Sequence, residues 1–264
     1  VKVPWELSRF QYLLWLAEGY VLDLKNRPKY LELYESIFEN WYTANPVGYG
    51  VNWIVSMEVA IRACNLAISF SVFIKDINPS LREKIITSLH EHLKFIDRFP
   101  EYSDVSGNHY LSNLMGKSIL SFFLYGNSSN EFKQALNLFY NESANQFEDD
   151  GCHFERAPIY HRLCLDMVAL VICFDQRGGK CNQIGMELLH KGINFCNAIS
   201  SSKGLLPVIG DSDSGHILFF NQDSRNFLGL QSLIHGLNLN FISKGLKDSN
   251  IIWHLAISKK HNVL

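Results

Sequence analysis

Apolar residues recur at three- and four-residue spacing through almost the entire chain, and in two stretches they cover more than one face of the implied helix. These are NWIVSMEVAIRACNLAISFSVF (residues 52–73) and PIYHRLCLDMVALVICFDQ (residues 158–176). A helix that is apolar nearly all round is stable only when packed between others, so both belong to an inner layer. They alternate with amphipathic segments such as SLREKIITSLHEHLKF (residues 80–95), whose polar face suits an outer layer. Start and stop signals delimit eight helical segments: residues 8–22, 28–42, 52–73, 79–97, 107–126, 129–147, 158–176 and 182–200. Short polar or Gly/Pro-containing turns join them. The pattern predicts an all-α protein, an incomplete (α/α) toroid or a solenoid of paired helices, without the fixed-period repeat of tetratricopeptide arrays.

At 264 residues the chain lies near the upper limit of what one core serves, and it reads as a single domain over residues 1–264. After Ser200 the texture changes, because SSKGLLPVIGDSDSGHILFF is rich in Gly, Ser and Asp and carries a β-like run from Ile217 to Phe220. A loop or short β-like segment is expected near residues 205–220. Helical spacing returns in SRNFLGLQSLIHGLNL and NIIWHLAIS, and no second domain is expected before Leu264.

Charge and composition narrow the function classes. The formal net charge is −2 and no block of Lys or Arg is present, so a dedicated nucleic-acid binder is not expected. No uninterrupted apolar run approaches the roughly 20 residues that span a bilayer, so no membrane span is expected. Cys64, Cys152, Cys164, Cys173, Cys181 and Cys196 lie mostly in apolar helical stretches without CxxC or Cys/His finger spacing, and they read as small buried thiols. The residues after Val1 show no charged segment followed by an apolar run, so the compartment is not readable from this end.

Three short motifs invite chemistry and fail on spacing. ELLH (Glu187 to His190) puts an acid and a histidine on one helix face, yet a carboxylate-bridged metal pair needs a second such motif and further Glu residues. HEH (His90 to His92) falls on the most amphipathic segment and reads as a solvated face. DSDSG (Asp211 to Gly215) opens like a calcium loop, but His216 and Gln222 stand at its sixth and twelfth positions where Gly and Glu are needed, leaving an Asx-type turn. No metal and no other cofactor is expected.

Three further segments place polar residues, His or Tyr at the start of apolar helices: NPVGYGVNWIVSMEVAIR, SGNHYLSN, and FEDDGCHFERAPIYHRL. If these helices form the inner ring, their N-terminal ends converge on one rim and line a cleft. In this order, with the later LLPVIGDSDSG, the segments resemble the helical toroid domain of the heparinase II/III and alginate-lyase-like polysaccharide lyases. The resemblance runs from VPWELSRFQ to the WHL near the end, with NWxxxMExAIR and DGxxxExxPxYH as its most specific stretches.

The resemblance implies β-elimination at a uronic acid of an acidic polysaccharide. Such chemistry needs donors that stabilise the sugar carboxylate as it gains enolate character, and a base beside C5. It assigns Asn108 and His109 to the carboxylate and Tyr160 to proton transfer as base, acid or both. Arg62 and His161 are the groups expected to favour the phenolate or hold the acidic sugar. Asn52, Trp53 and Glu155 are expected to contribute to substrate binding, with Glu58 and Glu155 orienting the cations. It also implies a C-terminal β-sandwich domain absent from these 264 residues, and a periplasmic or secreted location. Structural roles stay open for each residue: Asn108 as a helix N-cap, His109 as a first-turn polar residue, Tyr160 as a buried aromatic, Arg62 as the i,i+4 partner of Glu58. So do two other functions. One is a non-catalytic glycan-binding or surface-polysaccharide assembly module; the other is a glycoside hydrolase using acids among Asp149, Asp150 and Glu155.

Overall fold

The computed structural model of the chain describes residues 2–178, 182–212, 215–217 and 225–227. Among them run nine α-helices: α1 (Lys2–Leu7), α2 (Gln11–Leu22), α3 (Arg27–Ala44), α4 (Ser56–Phe73), α5 (Pro79–Arg98), α6 (Asn108–Tyr125), α7 (Asn130–Gln146), α8 (Pro158–Asp175) and α9 (Gln183–Ile199). The even-numbered helices pack side by side in the order α2, α4, α6, α8, and α3, α5, α7 and α9 return along their outer side. This is the two-layer incomplete (α/α) toroid that the alternation of apolar and amphipathic segments predicts. Because each outer helix reverses the chain, successive inner helices run the same way and bring their N-termini to one rim.

Burial follows the pattern of the sequence. Every residue from Ser56 to Phe70 on α4 is buried, as is every residue of α8 from Pro158 to Phe174 except Tyr160. By contrast α5 buries a stripe at helical spacing, including Leu81, Ile85, Leu89, His92 and Ile96, and α3 buries Tyr34 and Phe38. By length and composition α4 could cross a membrane, with a mean hydropathy of 1.3 over 18 residues. Its faces are instead spent inside the protein, 89% of it being buried against α2, α5 and α6.

The inner staves approach closely where α6 carries Gly116. A Cβ there would lie 2.7 Å from the Ala60 Cβ and 3.1 Å from its Cα on α4. Because backbone meets backbone, no rotamer relieves the overlap. Gly116→Val is expected to destabilise the fold by at least about 2 kcal/mol; an unchanged denaturation midpoint would contradict this packing.

Several boundaries depart from the sequence reading. The helix read over 8–22 starts only at Gln11, because Phe10 adopts a left-handed backbone (φ 62°) between α1 and α2. The segment 52–73 begins with a single 3-10 turn, Val51–Trp53, and α4 starts only at Ser56 after extended Val55. In the 205–220 region the described residues form one isolated bridge, Leu205 to Asn226, while residues 218–220, the whole of the last helical segment and all but residues 225–227 of the one before it lie outside the described residues. Residues 215–217 tie the ends of the ring together: Gln11 of α2 donates to the His216 carbonyl, Asn65 of α4 to the Ile217 carbonyl at 3.1 Å, and Arg162 of α8 meets His216 Nδ1 at 3.0 Å.

The excluded motifs are also placed. Glu187 pairs with Lys191 at 3.0 Å on the surface of α9. His92 of HEH is not on a solvated face but fully buried, because it falls on the apolar stripe of α5, where it accepts a hydrogen bond from Arg62. Cys64, Cys164, Cys173 and Cys196 are buried thiols, Cys152 is half-buried, and Cys181 lies outside the described residues.

Candidate active site

The rim at the inner-helix N-termini holds a cavity of about 330 Å³ whose walls include Trp5, Arg9, Glu58, Asn108, His109, Tyr160 and Asp211. Each wall residue is placed by a short local device. At α6 the N-cap position belongs to Gly107, in extended conformation, and Asn108 is the first helical residue. The capping acceptor comes from elsewhere in the chain: Glu155 Oε1 accepts from the Asn108 backbone N–H at 2.8 Å. The same carboxylate accepts from Asn108 Nδ2 at 3.0 Å and 2.8 Å. A Cβ on Gly107 would fall 2.5 Å from Glu155 Oε1, so a larger residue there would push the carboxylate off this position. Asn108 is therefore not an N-cap. It is a buried amide gripped by a carboxylate.

His109, exposed at the cavity, engages Glu101 through Nδ1 at 2.8 Å. That hydrogen bond raises the ring's pKa above its ordinary value against the opposing effect of burial, helped by the charges of Glu101, Glu155 and Glu58. Burial pushes the Glu101 carboxyl up, but His109, the Met57 N–H and Asn113 together bring it below its usual value. Tyr160, third residue of α8 and half-buried, donates its hydroxyl to Asp211 Oδ2 at 2.9 Å.

The guanidinium in the cavity wall is that of Arg9. The left-handed Phe10 turns the chain between α1 and α2, at a cost of about 1–2 kcal/mol for a bulky residue. Burial of the Phe10 ring edge-on to Trp41 (centroids 4.9 Å apart) and the Asn65 bond to the Arg9 carbonyl (2.8 Å) hold that bend. Arg9 Nε and NH2 then meet Glu58 Oε2 and Oε1 at 2.7 Å and 2.6 Å, a two-pronged ion pair.

The other residues picked from the sequence are not in the cavity wall. Arg62 is fully buried one turn below Glu58, donates to His92 Nε2 (3.0 Å) and to the Asn52 carbonyl (2.9 Å), and is stacked on Trp41 and Trp53. It is not the ion-pair partner of Glu58, which Arg9 occupies. Asn52 and Trp53 are buried in the same cluster, both bonded to Asn45. His161 is buried behind α8, where Nδ1 accepts the His153 N–H (3.1 Å) and Nε2 donates to the Gly192 carbonyl (3.0 Å). Burial pushes its pKa down to about 4 and that of His153 to about 3, so both are neutral props under the loop that carries Glu155. Asp150 faces a second cavity and bonds the Cys152 N–H (2.8 Å), while Asp149 is exposed, so the acids considered for hydrolysis do not face one another across the cleft.

Sequence reasoning missed Arg9, Glu101 and Asp211 as wall or support residues. Arg9 sits inside a segment read as continuous helix, and Glu101 and Asp211 lie in turns without periodicity. A signal existed only for Glu58, an acid on an otherwise apolar helix start that demands a cationic partner.

Ring and cleft together define a helical-toroid domain whose polar cavity residues sit at the inner-helix N-termini. The chain belongs to the heparinase II/III family: the family described as Heparinase II/III N-terminus matches residues 2–230. It is 25% identical over 175 residues to the heparin-sulfate lyase of Pedobacter heparinus, covering 63% of this chain and 26% of that protein. The crystal structure of a heparan sulfate lyase HepC mutant from Pedobacter heparinus superposes with a TM-score of 0.62 at 20% identity, over 97% of this chain and 39% of that one. The Heparinase III-BT4657 gene product superposes with a TM-score of 0.60 at 19% identity, over 98% of this chain and 42% of that one. At such identities the likeness concerns the fold. The chain spans between about a quarter and two-fifths of the length of these relatives.

Proposed function

We propose that this chain is the helical part of a polysaccharide lyase that cleaves an acidic, uronate-containing glycan by β-elimination. The carrying observation is that Asn108, His109 and Tyr160, from two adjacent inner helices, line one cavity together with Arg9. In the reaction the C5 proton leaves, the C4–oxygen bond breaks, a C4=C5 double bond forms, and the departing oxygen takes up a proton. Asn108 has two amide hydrogens. One is shared between the two oxygens of Glu155, and the other is offered to the sugar carboxylate beside His109. Tyr160 exchanges the protons, and Arg9 takes the place of Arg62 as the guanidinium nearest the acidic sugar. The relatives' names, heparin-sulfate and heparan sulfate lyase, support a uronate polymer as substrate. We assign the activity to the whole protein, with the expected β-sandwich domain closing the cleft.

The test is the ultraviolet absorbance of the unsaturated uronate when the full-length protein meets heparan sulfate and other uronate polymers. Growth of absorbance is expected. In Asn108→Ala the cap survives, because Glu155 still accepts the backbone N–H, so stability falls by only about 1.5–3 kcal/mol, the worth of the lost amide contact to the carboxylate. Activity is expected to fall at least about a hundredfold, as for loss of an oxyanion-type donor. Reducing ends without absorbance would make the protein a hydrolase, and binding without turnover a glycan-binding module.

A further inference from the structure

Glu101 lies in the connection between α5 and α6 and makes four polar contacts that join three elements. Its Oε2 accepts the Met57 N–H (2.6 Å) in the first turn of α4, and accepts Asn113 Nδ2 (3.3 Å) one turn into α6. Its backbone N–H donates to Asn113 Oδ1 (2.7 Å), and its Oε1 holds His109 Nδ1 (2.8 Å). A carboxylate tied down on one oxygen by a helix N-terminus and an amide presents the other oxygen in a fixed direction. That fixes the ring: Nδ1 is the donor to Glu101, and Nε2 is the nitrogen left for a ligand.

The chemistry of the cavity makes this fixation consequential. Among the described lining residues the acids are Glu6, Glu58 and Asp211, and the cations come from Arg9 and His109, Arg9 being already matched by Glu58. An acidic sugar entering this cavity needs a donor with positive charge. Neutral His109 with Nδ1–H bonded to Glu101 would show a lone pair at Nε2 and repel a carboxylate oxygen. The imidazolium shows an N–H there.

We propose that Glu101 is a positioning residue that keeps His109 as an imidazolium with Nε2–H turned to the acidic group of the substrate. This rests on the lyase reading for its substrate, though not for its geometry. The groups facing His109 are Glu101 from the α5–α6 connection, Glu155 from the α7–α8 connection and Glu58 from α4, all of which favour the charged ring, with Arg9 beyond Glu58 opposing them. The raised pKa means that the pair's stabilisation is complete below the ordinary imidazole value near 6.5 and is lost as pH rises through the raised one.

The experiment uses the full-length protein, comparing the parent with Glu101→Gln and Glu101→Asp. His109 ring titration is followed by NMR, with the signal assigned through His109→Gln, and kcat/KM on heparan sulfate is measured against pH. In Glu101→Gln the ring is expected to titrate at lower pH. The alkaline limb of the rate profile should move down with it, and kcat/KM near pH 7 should fall about ten- to hundredfold, the worth of a charge-assisted hydrogen bond. Glu101→Asp should recover part of both. Equal titration in parent and Glu101→Gln overturns the proposal, and so does a lowered titration with an unmoved rate profile. Movement of the acid limb alone also overturns it, since neutral His109 would then be the working form. If the parent cleaves no uronate polymer, the lyase reading fails, and the ring titration decides the role of Glu101 by itself.

Discussion

Tyr160→Phe is expected to abolish the appearance of unsaturated product while leaving the protein folded. A positioned acid or base contributes about 10²- to 10⁴-fold, and a phenol that both removes the C5 proton and protonates the leaving oxygen belongs at the upper end. The Phe ring fills the same half-buried site on α8, so the structural loss is the hydrogen bond to Asp211, about 1 kcal/mol. The pair expected from sequence to favour a phenolate does not reach Tyr160. Arg62 and His161 are both buried away from the cavity. Tyr160 instead stands in the first turn of α8, whose positive end favours an anion, while its hydroxyl donates a hydrogen bond to Asp211 that holds the neutral phenol until substrate displaces it. Product absorbance and a denaturation curve on the same variant separate the two effects. A variant that keeps more than about a tenth of parental kcat would remove Tyr160 from the proton transfers.

The ring was legible because its signal is collective. All-round apolarity in α4 and α8 and one-sided apolarity in α5 and α9 each integrate over many residues, and no single side chain decides them. That Asn108, His109 and Tyr160 line one cavity was legible for a related reason: inner-helix N-termini share a rim, so polar residues at those starts meet in space. Where the reading went astray, one tertiary contact outweighed a local pattern. Glu58 and Arg62 have ideal i,i+4 spacing, yet Glu58 bonds Arg9, which is delivered by a left-handed Phe10 that no helix periodicity announces. Asn108 looks like a cap, yet the cap is Glu155, from a loop far along the chain that only the packing of α6 on α8 brings near. His92 reads as surface from its charged neighbours, while its own face of α5 belongs to the buried stripe.

Arg62→Ala is expected to be the most destabilising of the substitutions considered, at about 3–5 kcal/mol, with no direct effect on substrate affinity. The guanidinium is fully buried between Trp41 and Trp53, with ring centroids 4.7 Å and 5.0 Å away, and it holds the 3-10 turn before α4 to α5 through Asn52 and His92. Burial pushes its pKa down to about 9, countered by the charge of Glu58, so it stays protonated at neutral pH. His92 is neutral beside it, its Nδ1–H given to the Ser88 carbonyl at 2.7 Å and its Nε2 left to accept from Arg62. Truncation to Ala would strand that Nε2 and the Asn52 carbonyl in a dry cavity, two acceptors without donors. NH1 of Arg62 has no hydrogen-bond partner among the described residues, so the charge is already imperfectly satisfied, and Arg62→Met, which refills the slot with apolar atoms but leaves the same two acceptors without donors, should recover only the cavity part of the loss. Denaturant unfolding of both variants, beside KM or glycan affinity of the folded fraction, distinguishes a keystone from a ligand. A keystone gives large and unequal stability losses with KM unchanged. A sugar-binding arginine would instead raise KM about tenfold or more in both variants alike, because neither Ala nor Met carries the charge.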